Sequence, residues 1–525
     1  MKNIRDFSSF RNGNDWTSAV REALASGGDG LVFPEGEYHF YPEAGERRYC
    51  FFTNHDEGMK LIAFFLKDLH DFHISGENAR FVFHGRTTPF VLSNCSNIRL
   101  DGFSIDFERS FIPSAEVLEV STENTILRFP EPNTFLISEG KLCFIPDEYR
   151  FFIPKIPWLA YDIERKEPAF NTPSGCFGRE CERLSSDMIR IRNVIRAPEQ
   201  GAQIVLKPEP RLFPAVAIDD SSEIQLSDLT IFHSCGMGIL AQNSRDIAMR
   251  DIRIRTGENR LISVPDDALH CSQCSGTIQL DHCSFENGWD DAVNIHGVYR
   301  KFRNRGGALL EAGHFQQFGV PMARSGETLE IGTVRAKVKS IIELNKQYAM
   351  FIPEEPLPDI PDGTLVLNMD RQPRVTIRDC RFIANKPRGV LVTTAGKTLI
   401  EHNEFHTPGA AIYLAGGSDF WYESGPVRDM TIRKNLFRDC LYQGFSTGRA
   451  VIDIVAPAWK QDVFHRGIRI EENLFSDSHN KLVSASNCGD LFISGNRHED
   501  STEYSCSAGE PWDFTNCIGL VLNQP

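Results

Sequence analysis

The sequence predicts an all-β fold: a parallel β-helix with two small β-barrel-like domains inserted between its coils. Three observations point there. A short strand motif recurs with a period in the twenties, two long gaps interrupt it, and each gap holds alternating apolar segments of its own. The recurring segments are FHISGENARF, NIRLDGFSIDF, EIQLSDLTIF, DIAMRDIRI, TIQLDHCSF, RVTIRDCRF, KTLIEHNEF, DMTIRKNLF, GIRIEENLF and LFISGNRH. Each has an apolar pair one residue apart, then one or two polar residues, often Asp or Asn, then another apolar residue. Anchored on the second apolar residue, they fall at Ile74, Leu100, Leu226, Met249, Leu280, Ile377, Ile400, Ile432, Ile470 and Ile493. The steps Leu226–Met249, Ile377–Ile400 and Ile470–Ile493 are each 23 residues, and steps of 26, 31, 32 and 38 are 23 plus loop insertions. Short strands repeating at that period mark a solenoid. The Leu/Asn spacing of leucine-rich repeats is missing.

Composition narrows the function classes. A chain of 525 residues can bury a large core and hold more than one domain. A net charge of −15 argues against a nucleic-acid partner, which needs a basic surface, and mildly against polyanionic substrates. No apolar run approaches the roughly 20 residues of a membrane span. The start, MKNIRDFSSFRNG, lacks the apolar centre of a signal peptide. The chain as written therefore fits the cytoplasm, or a secreted or periplasmic protein whose leader has been removed. The 14 cysteines are scattered, mostly in apolar segments (Cys235, Cys283, Cys380, Cys440). The single CxxC, Cys271–Cys274, lacks the second pair a zinc site needs. Buried free thiols are expected, with no metal and no cofactor.

Taken in order, Asn14-Asp15 caps a helix over WTSAVREALAS, with Trp16, Val20 and Ala23/Leu24 on one face and Gly27-Gly28 as the stop. GLVFPEGEYHF then reads as strand, turn, strand. This opening resembles the N-terminal cap of right-handed parallel β-helices of the pectinase-like type, where a helix covers the open strand edges. The gaps run 126 residues from Leu100 to Leu226 and 97 from Leu280 to Ile377. The first contains AEVLEV, NTILRF, KLCFI, MIRIR and QIVLK; the second contains TLEIGTVRAKVKSIIEL, YAMFI and TLVLN. The expected organisation is a cap and first coils (1–108), a barrel-like insertion (109–222), coils 223–297, a second insertion (298–373), and closing coils and cap (374–525). Solenoids with inserted domains often pair, so a homodimer is expected.

The stretch Pro265–Gly297 carries the chemistry. It holds Asp266-Asp267 and Asp290-Asp291, and 290 − 267 = 23 is one coil. The Met249–Leu280 coil carries eight extra residues. If all precede Asp267, that residue stands directly over Asp290, with Cα atoms about 4.8 Å apart. Stacked carboxyls raise each other's proton affinity, so one can stay protonated while another is ionised. An acid/base hydrolase needs that division. Rival readings are an Asp/Asn ladder binding Ca²⁺, a non-catalytic carbohydrate-binding solenoid, and a polysaccharide lyase with a Lys or Arg base. No Lys lies near the cluster, which counts against the lyase.

Tandem Asp-Asp with a third Asp one coil away resembles the inverting polygalacturonases, and another inverting glycosidase of that type is an alternative. A second resemblance is closer. DDALH (266–270), CSFENGWDDAVNIHG (283–297), FVFHGR (81–86) and FSIDFER (103–109) resemble the α-1,3-galactosidases of glycoside hydrolase family 110, as do the two inserted β-domains. The resemblance implies inverting hydrolysis of terminal α-1,3-linked galactose, on blood-group-B-type or linear glycans, so the partner is a galactose-terminated oligosaccharide or glycan. It implies Asp290 as the general acid, and Asp267 and Asp291 as the bases that hold the water.

Asp266, His270, Trp289, Asn294, His296, Arg388 and Arg260 are the candidate substrate-binding residues. Trp289 offers a ring for galactose. Asn294 and His296 share an alternation with Asp291. Arg388, 11 past Ile377, holds the coil position that Asp291 holds past Leu280. It is either the next coil's part of the pocket or a salt-bridge partner. Trp421-Tyr422 and Trp459 lie in longer coils that can rise over a site. Asn54-His55-Asp56 reads as a turn.

Overall fold

The computed structural model describes residues 1–523 except 131–134, 145–154, 173, 208–210, 306, 418–419, 424, 444–447, 458–461, 477–480, 502 and 505–509. Trp459 lies outside the described residues.

The coils form a parallel β-helix with one 22-stranded and one 12-stranded sheet. All ten anchors fall in one column: Ile74 pairs with Leu100, Leu100 with Leu226, Leu226 with Met249, Met249 with Leu280, and Leu280 with Ile377. The column continues through Ile400, Ile432, Ile470 and Ile493. Their side chains are buried, as the period-2 alternation demands. Two further columns follow from the repeated N-x-F. Phe285, Phe382, Phe405, Phe437 and Phe475 stack at centroid spacings of 5.6, 4.8, 5.0 and 4.8 Å. Asn403, Asn435, Asn473 and Asn496 form a buried ladder in which each Nδ2 donates to the next Oδ1 at 2.9, 3.0 and 2.8 Å. Each ladder amide also donates to a backbone carbonyl, so its buried polar atoms are satisfied. Cys283 and Cys380 hold the equivalent place in earlier coils, and the described cysteines are all free.

The helix Thr17–Ala25 covers the first coil, with Asp15 Oδ1 accepting from Thr17 N–H at 2.8 Å. Trp16, Ala19, Val20 and Ala23 join the core. Among the described residues no helix is long and apolar enough to cross a membrane.

Both insertions are closed barrels. In the first, Ser114–Val120, Asn124–Arg128, Met188–Ile195, Gly175–Arg183, Lys155–Asp162 and Gln203–Leu206 pair in a ring. The second closes from Arg300–Asn304 round to Leu365–Asn368. Each has its own core, around Trp158 and Phe177 in one and around Phe302 and Phe351 in the other.

Where they are inserted matters more than their shape. Every coil turns a corner between the large sheet and the 12-stranded sheet. The first barrel occupies that corner, between Ser96–Phe107 and Val216–Asp219. The second lies at the opposite end of the smaller sheet, between Val293–His296 and Arg374–Arg378. The smaller sheet is thus flanked on both sides. Its strands Leu269–Ser272 and Val293–His296 are buried at every position instead of alternating.

One expectation of register fails. Leu269 pairs with Val293 and His270 with Asn294, a spacing of 24. Ala268 N–H donates to Asp291 O at 2.9 Å, which carries the register into the corner. Asp267 therefore stands over Asp291, and Asp266 over Asp290, rather than Asp267 over Asp290. The cause is a one-residue slip between Ser275 and Ile278. Gly276 fills it at φ +66, where a side chain would collide with the Asp246 carboxylate. One of the extra residues thus lies after Asp267, not before it.

Candidate active site

The corner gathers both Asp pairs. The nearest oxygens of Asp267, Asp290 and Asp291 lie within 4.8 Å of one another. Asp266 is fully buried, and Lys207 Nζ and Arg211 Nε (2.7 Å) both reach its Oδ1. The same guanidinium donates to Asp290 Oδ2 at 2.7 Å, so Arg211 bridges the first members of the two pairs. Burial alone would push Asp266 up, but Lys207 and Arg211 outweigh it and hold the carboxyl below its ordinary range.

Lys207 and Arg211 follow the last strand of the first barrel, so the insertion delivers both cations. The expectation that no Lys lies near the cluster is thereby overturned. Lys207 is 59 residues from Asp266 in sequence, and barrel closure brings it in. Lys386, its Nζ 5.4 Å from the Trp289 ring, is a further lysine whose charge Asp290 feels. The lyase reading loses that objection but meets another: the Lys207 ammonium is locked to a buried carboxylate and is no free base.

Asp291 lies in a fork. Arg388 Nε donates to its Oδ1 at 2.7 Å and the adjacent η nitrogen to Oδ2 at 2.8 Å. Val293 pairs with Val390, so Arg388 sits directly over Asp291, and its guanidinium carbon lies 4.9 Å from the Tyr413 ring. Of the two readings of Arg388, the geometry matches the salt-bridge partner. Burial pushes Asp291 well above the usual carboxylate range; Arg388 opposes this, and Asp267 and Asp290 add to it.

Asp267 is also pushed well up, first by burial and then by Asp290. Behind it runs a chain of imidazoles. His270 Nδ1 is 2.7 Å from Asp267 Oδ2, His270 Nε2 is 3.0 Å from His296 Nε2, and His296 Nδ1 is 2.7 Å from Gly297 O. Burial lowers both histidines to about 4, so both are neutral at pH 7. The carbonyl can only accept, so His296 donates from Nδ1 and accepts at Nε2. His270 then donates from Nε2 and accepts at Nδ1. The hydrogen bond to Asp267 therefore needs a proton on the carboxyl, in agreement with its raised affinity.

Glu423 is a site residue that sequence reasoning missed. The segment leaving Val293–His296 pairs with it, through the Val298–Glu423 bridge and Tyr299 N–H donating to Tyr422 O at 2.8 Å. Its carboxylate accepts from Asn54 Nδ2 and from Asn294 Nδ2 (3.3 Å), and His296 Nε2 is 3.6 Å away. Burial would raise it, but the His296 and His270 rings, once protonated near pH 4, together with Asn54 and Arg211 bring it down to about 2. Asn54-His55-Asp56 is a turn with Asn54 at φ +57, and that turn aims Asn54 at Glu423. His55, neutral through burial, accepts from Met237 N–H at 3.2 Å and braces the turn.

Other candidates stand elsewhere. Trp289 is buried against Ile112, Leu159, Tyr161, Val205 and Ile262, so it joins barrel to solenoid and offers no face to a sugar. Arg260 donates to Asp106 and to Phe107 O, not to the carboxylate cluster. His270 and His296 are enclosed behind Asp267 and cannot reach sugar hydroxyls. Asn294 Oδ1 and Asp266 Oδ2 are buried and accept no hydrogen bond among the described residues. Trp421 is 40% exposed, and the Arg211 guanidinium lies 5.6 Å from its ring. Among the described residues three donor groups have the reach to hold a cation: Asp281/His282/Asp379, whose Asp281 is paired with Arg378, and two at this site, Asp267/Asp290/Asp291 and His270/His296/Glu423. In both of the latter, protein N–H groups or cations already face the donors.

No family model matches the chain. It is 29% identical over 529 residues to alpha-1,3-galactosidase A of Shewanella woodyi, covering 95% of this chain and 86% of that one. It is 30% identical over 502 residues to alpha-1,3-galactosidase B of Bacteroides thetaiotaomicron, covering 91% and 82%. Among solved structures, a family 28 exopolygalacturonase of Yersinia enterocolitica has a TM-score of 0.40 at 12% identity, covering 100% of this chain and 78% of that one, too distant to bear on function. A β-helix with stacked carboxyls at one corner and relatives of this kind is a glycoside hydrolase. The chain belongs to the α-1,3-galactosidase family.

Proposed function

We propose that the protein releases terminal α-1,3-linked galactose from a branched or linear oligosaccharide or glycan, with inversion at the anomeric carbon. The observation that carries this reading is the unequal exposure of three clustered carboxyls. The Asp290 side chain is 21% exposed, those of Asp267 and Asp291 4% and 2%. The exposed one can meet the glycosidic oxygen and protonate it as the C–O bond breaks. The two buried ones are placed to hold a water on the other side of the sugar ring.

Asp267 presents Oδ1 to that water because Oδ2 is committed to His270. Asp291, oriented by the Arg388 fork, takes the water's proton as its oxygen bonds to the anomeric carbon. A carboxyl with raised proton affinity is the stronger base, and a positioned base contributes about 10²–10⁴ in rate. The oxygen spacing is shorter than the roughly 6.5–9.5 Å between carboxyls in common inverting sites, and nearer the roughly 5–5.5 Å of retaining ones. Inversion is still favoured, because a retaining nucleophile must reach the anomeric carbon itself. Asp267 and Asp291 are enclosed and each already hydrogen-bonded.

The test is hydrolysis of Gal-α1,3-Gal followed by NMR, with and without EDTA. β-Galactose should form first at an EDTA-insensitive rate. Initial α-galactose would overturn inversion, and no release would overturn the substrate.

A further inference from the structure

At the mouth of the site the protein exposes aromatic rings that no packing explains. Phe315 is 64% exposed, Phe420 59% and Trp421 40%. They come from two separate elements. Phe315 opens the short 3-10 turn Phe315–Gln317 on the second barrel. Phe420 and Trp421 lie on the coil between Ile412–Ala415 and Ile452–Val455. His314 sits among them, its ring centroid 4.3 Å from Phe315, 4.8 Å from Phe420 and 4.9 Å from Trp421. Phe420 and Trp421 meet edge to face at 88°. Gln317 Nε2 donates to Trp421 O and ties the two elements together. The rings are tilted to one another and together present an exposed apolar patch. Exposed aromatic clusters of this kind mark binding sites.

What lies beside the patch fixes the occupant. Trp421 stacks against Arg211, and Arg211 donates to Asp290. Asp290 is the carboxyl assigned to the glycosidic oxygen, which leaves on the sugar released from galactose. A surface continuous with Asp290 and directed to solvent therefore stands on the leaving side. Two phenyl rings and an indole, with no carboxylate among them, suit the C–H face of a neutral pyranose.

Resting on the reading above, we propose that Phe315, Phe420 and Trp421 form the platform for the sugar that carries the leaving oxygen. The platform makes the enzyme selective for a saccharide on the leaving side.

The test compares kcat/KM on Gal-α1,3-Gal with that on α-galactosyl fluoride, which has no leaving sugar, for wild type, Phe315→Ala and Phe420→Ala. Both side chains are mostly exposed, so the variants should fold, and their unfolding temperatures check this. Each should lower the disaccharide-to-fluoride ratio by about tenfold, the scale of one lost aromatic contact. An unchanged ratio in variants whose wild type cleaves both substrates would overturn the platform alone. A wild type that cleaves neither would overturn the parent reading as well.

Discussion

Asp266-Asp267 and Asp290-Asp291 are the same dipeptide in the same register on adjacent coils, yet they are chemically unlike. The first members share Arg211. Asp266 is buried and also takes Lys207, whereas Asp290 pairs with Arg211, accepts from the Asp291 backbone N–H at 3.2 Å and keeps an open side. The second members differ too: Asp267 ends a chain of neutral imidazoles, and Asp291 sits in a guanidinium fork. Stacking supplies proximity. Neighbours drawn from distant segments decide which carboxyl is a strut, which an acid and which a proton acceptor.

The same substitution at the two stacked first members separates these roles. Asp290→Asn should lower kcat on Gal-α1,3-Gal by about 10³-fold or more while the unfolding temperature stays near wild type. A fully active variant would remove the acid assignment. Asp266→Asn leaves Lys207 and Arg211, both partly enclosed, without the buried carboxylate they share, at a cost of about 3–5 kcal/mol. Its main signature should be a lower unfolding temperature. If stability is untouched, Asp266 is no strut.

A smaller effect sharpens the view of the wall. Glu423 titrates at about 2 in the fold, against an ordinary 4.5. A lowered carboxyl stabilises the folded state above about 4.5, and the contribution fades as pH falls toward 2. Glu423→Gln should therefore lower the unfolding temperature most at pH 6–7, with the gap closing below about 4.5. A gap independent of pH would show that its charge is not what holds Asn54, Asn294 and the histidines.

The solenoid was legible because a parallel stack repeats its instructions. One apolar residue per coil locates the column, whereas the Asn ladder and the Phe stack emerge only in the structure. The carboxyl pairs were legible for the same reason, apart from the slip at Gly276, a single residue that periodicity cannot assign to one side of Asp267. Lys207, Arg211 and Glu423 were not legible. They reach the site through barrel closure and through a bridge across the second insertion, and no spacing encodes either. Trp289 and Arg260 show the converse error, since nearness in sequence to the carboxyls set them facing the first barrel and its corner instead.

The insertions also bear on how such a machine can change. A coil of 97 residues and one of 23 advance the solenoid axis by the same single strand spacing, because each rejoins the column at the next rung. The axle that carries Asp267, Asp290 and Asp291 is therefore blind to what is bolted on at the corners. The surroundings can be lengthened, trimmed or exchanged, and substrate choice altered, while the reacting groups keep their places.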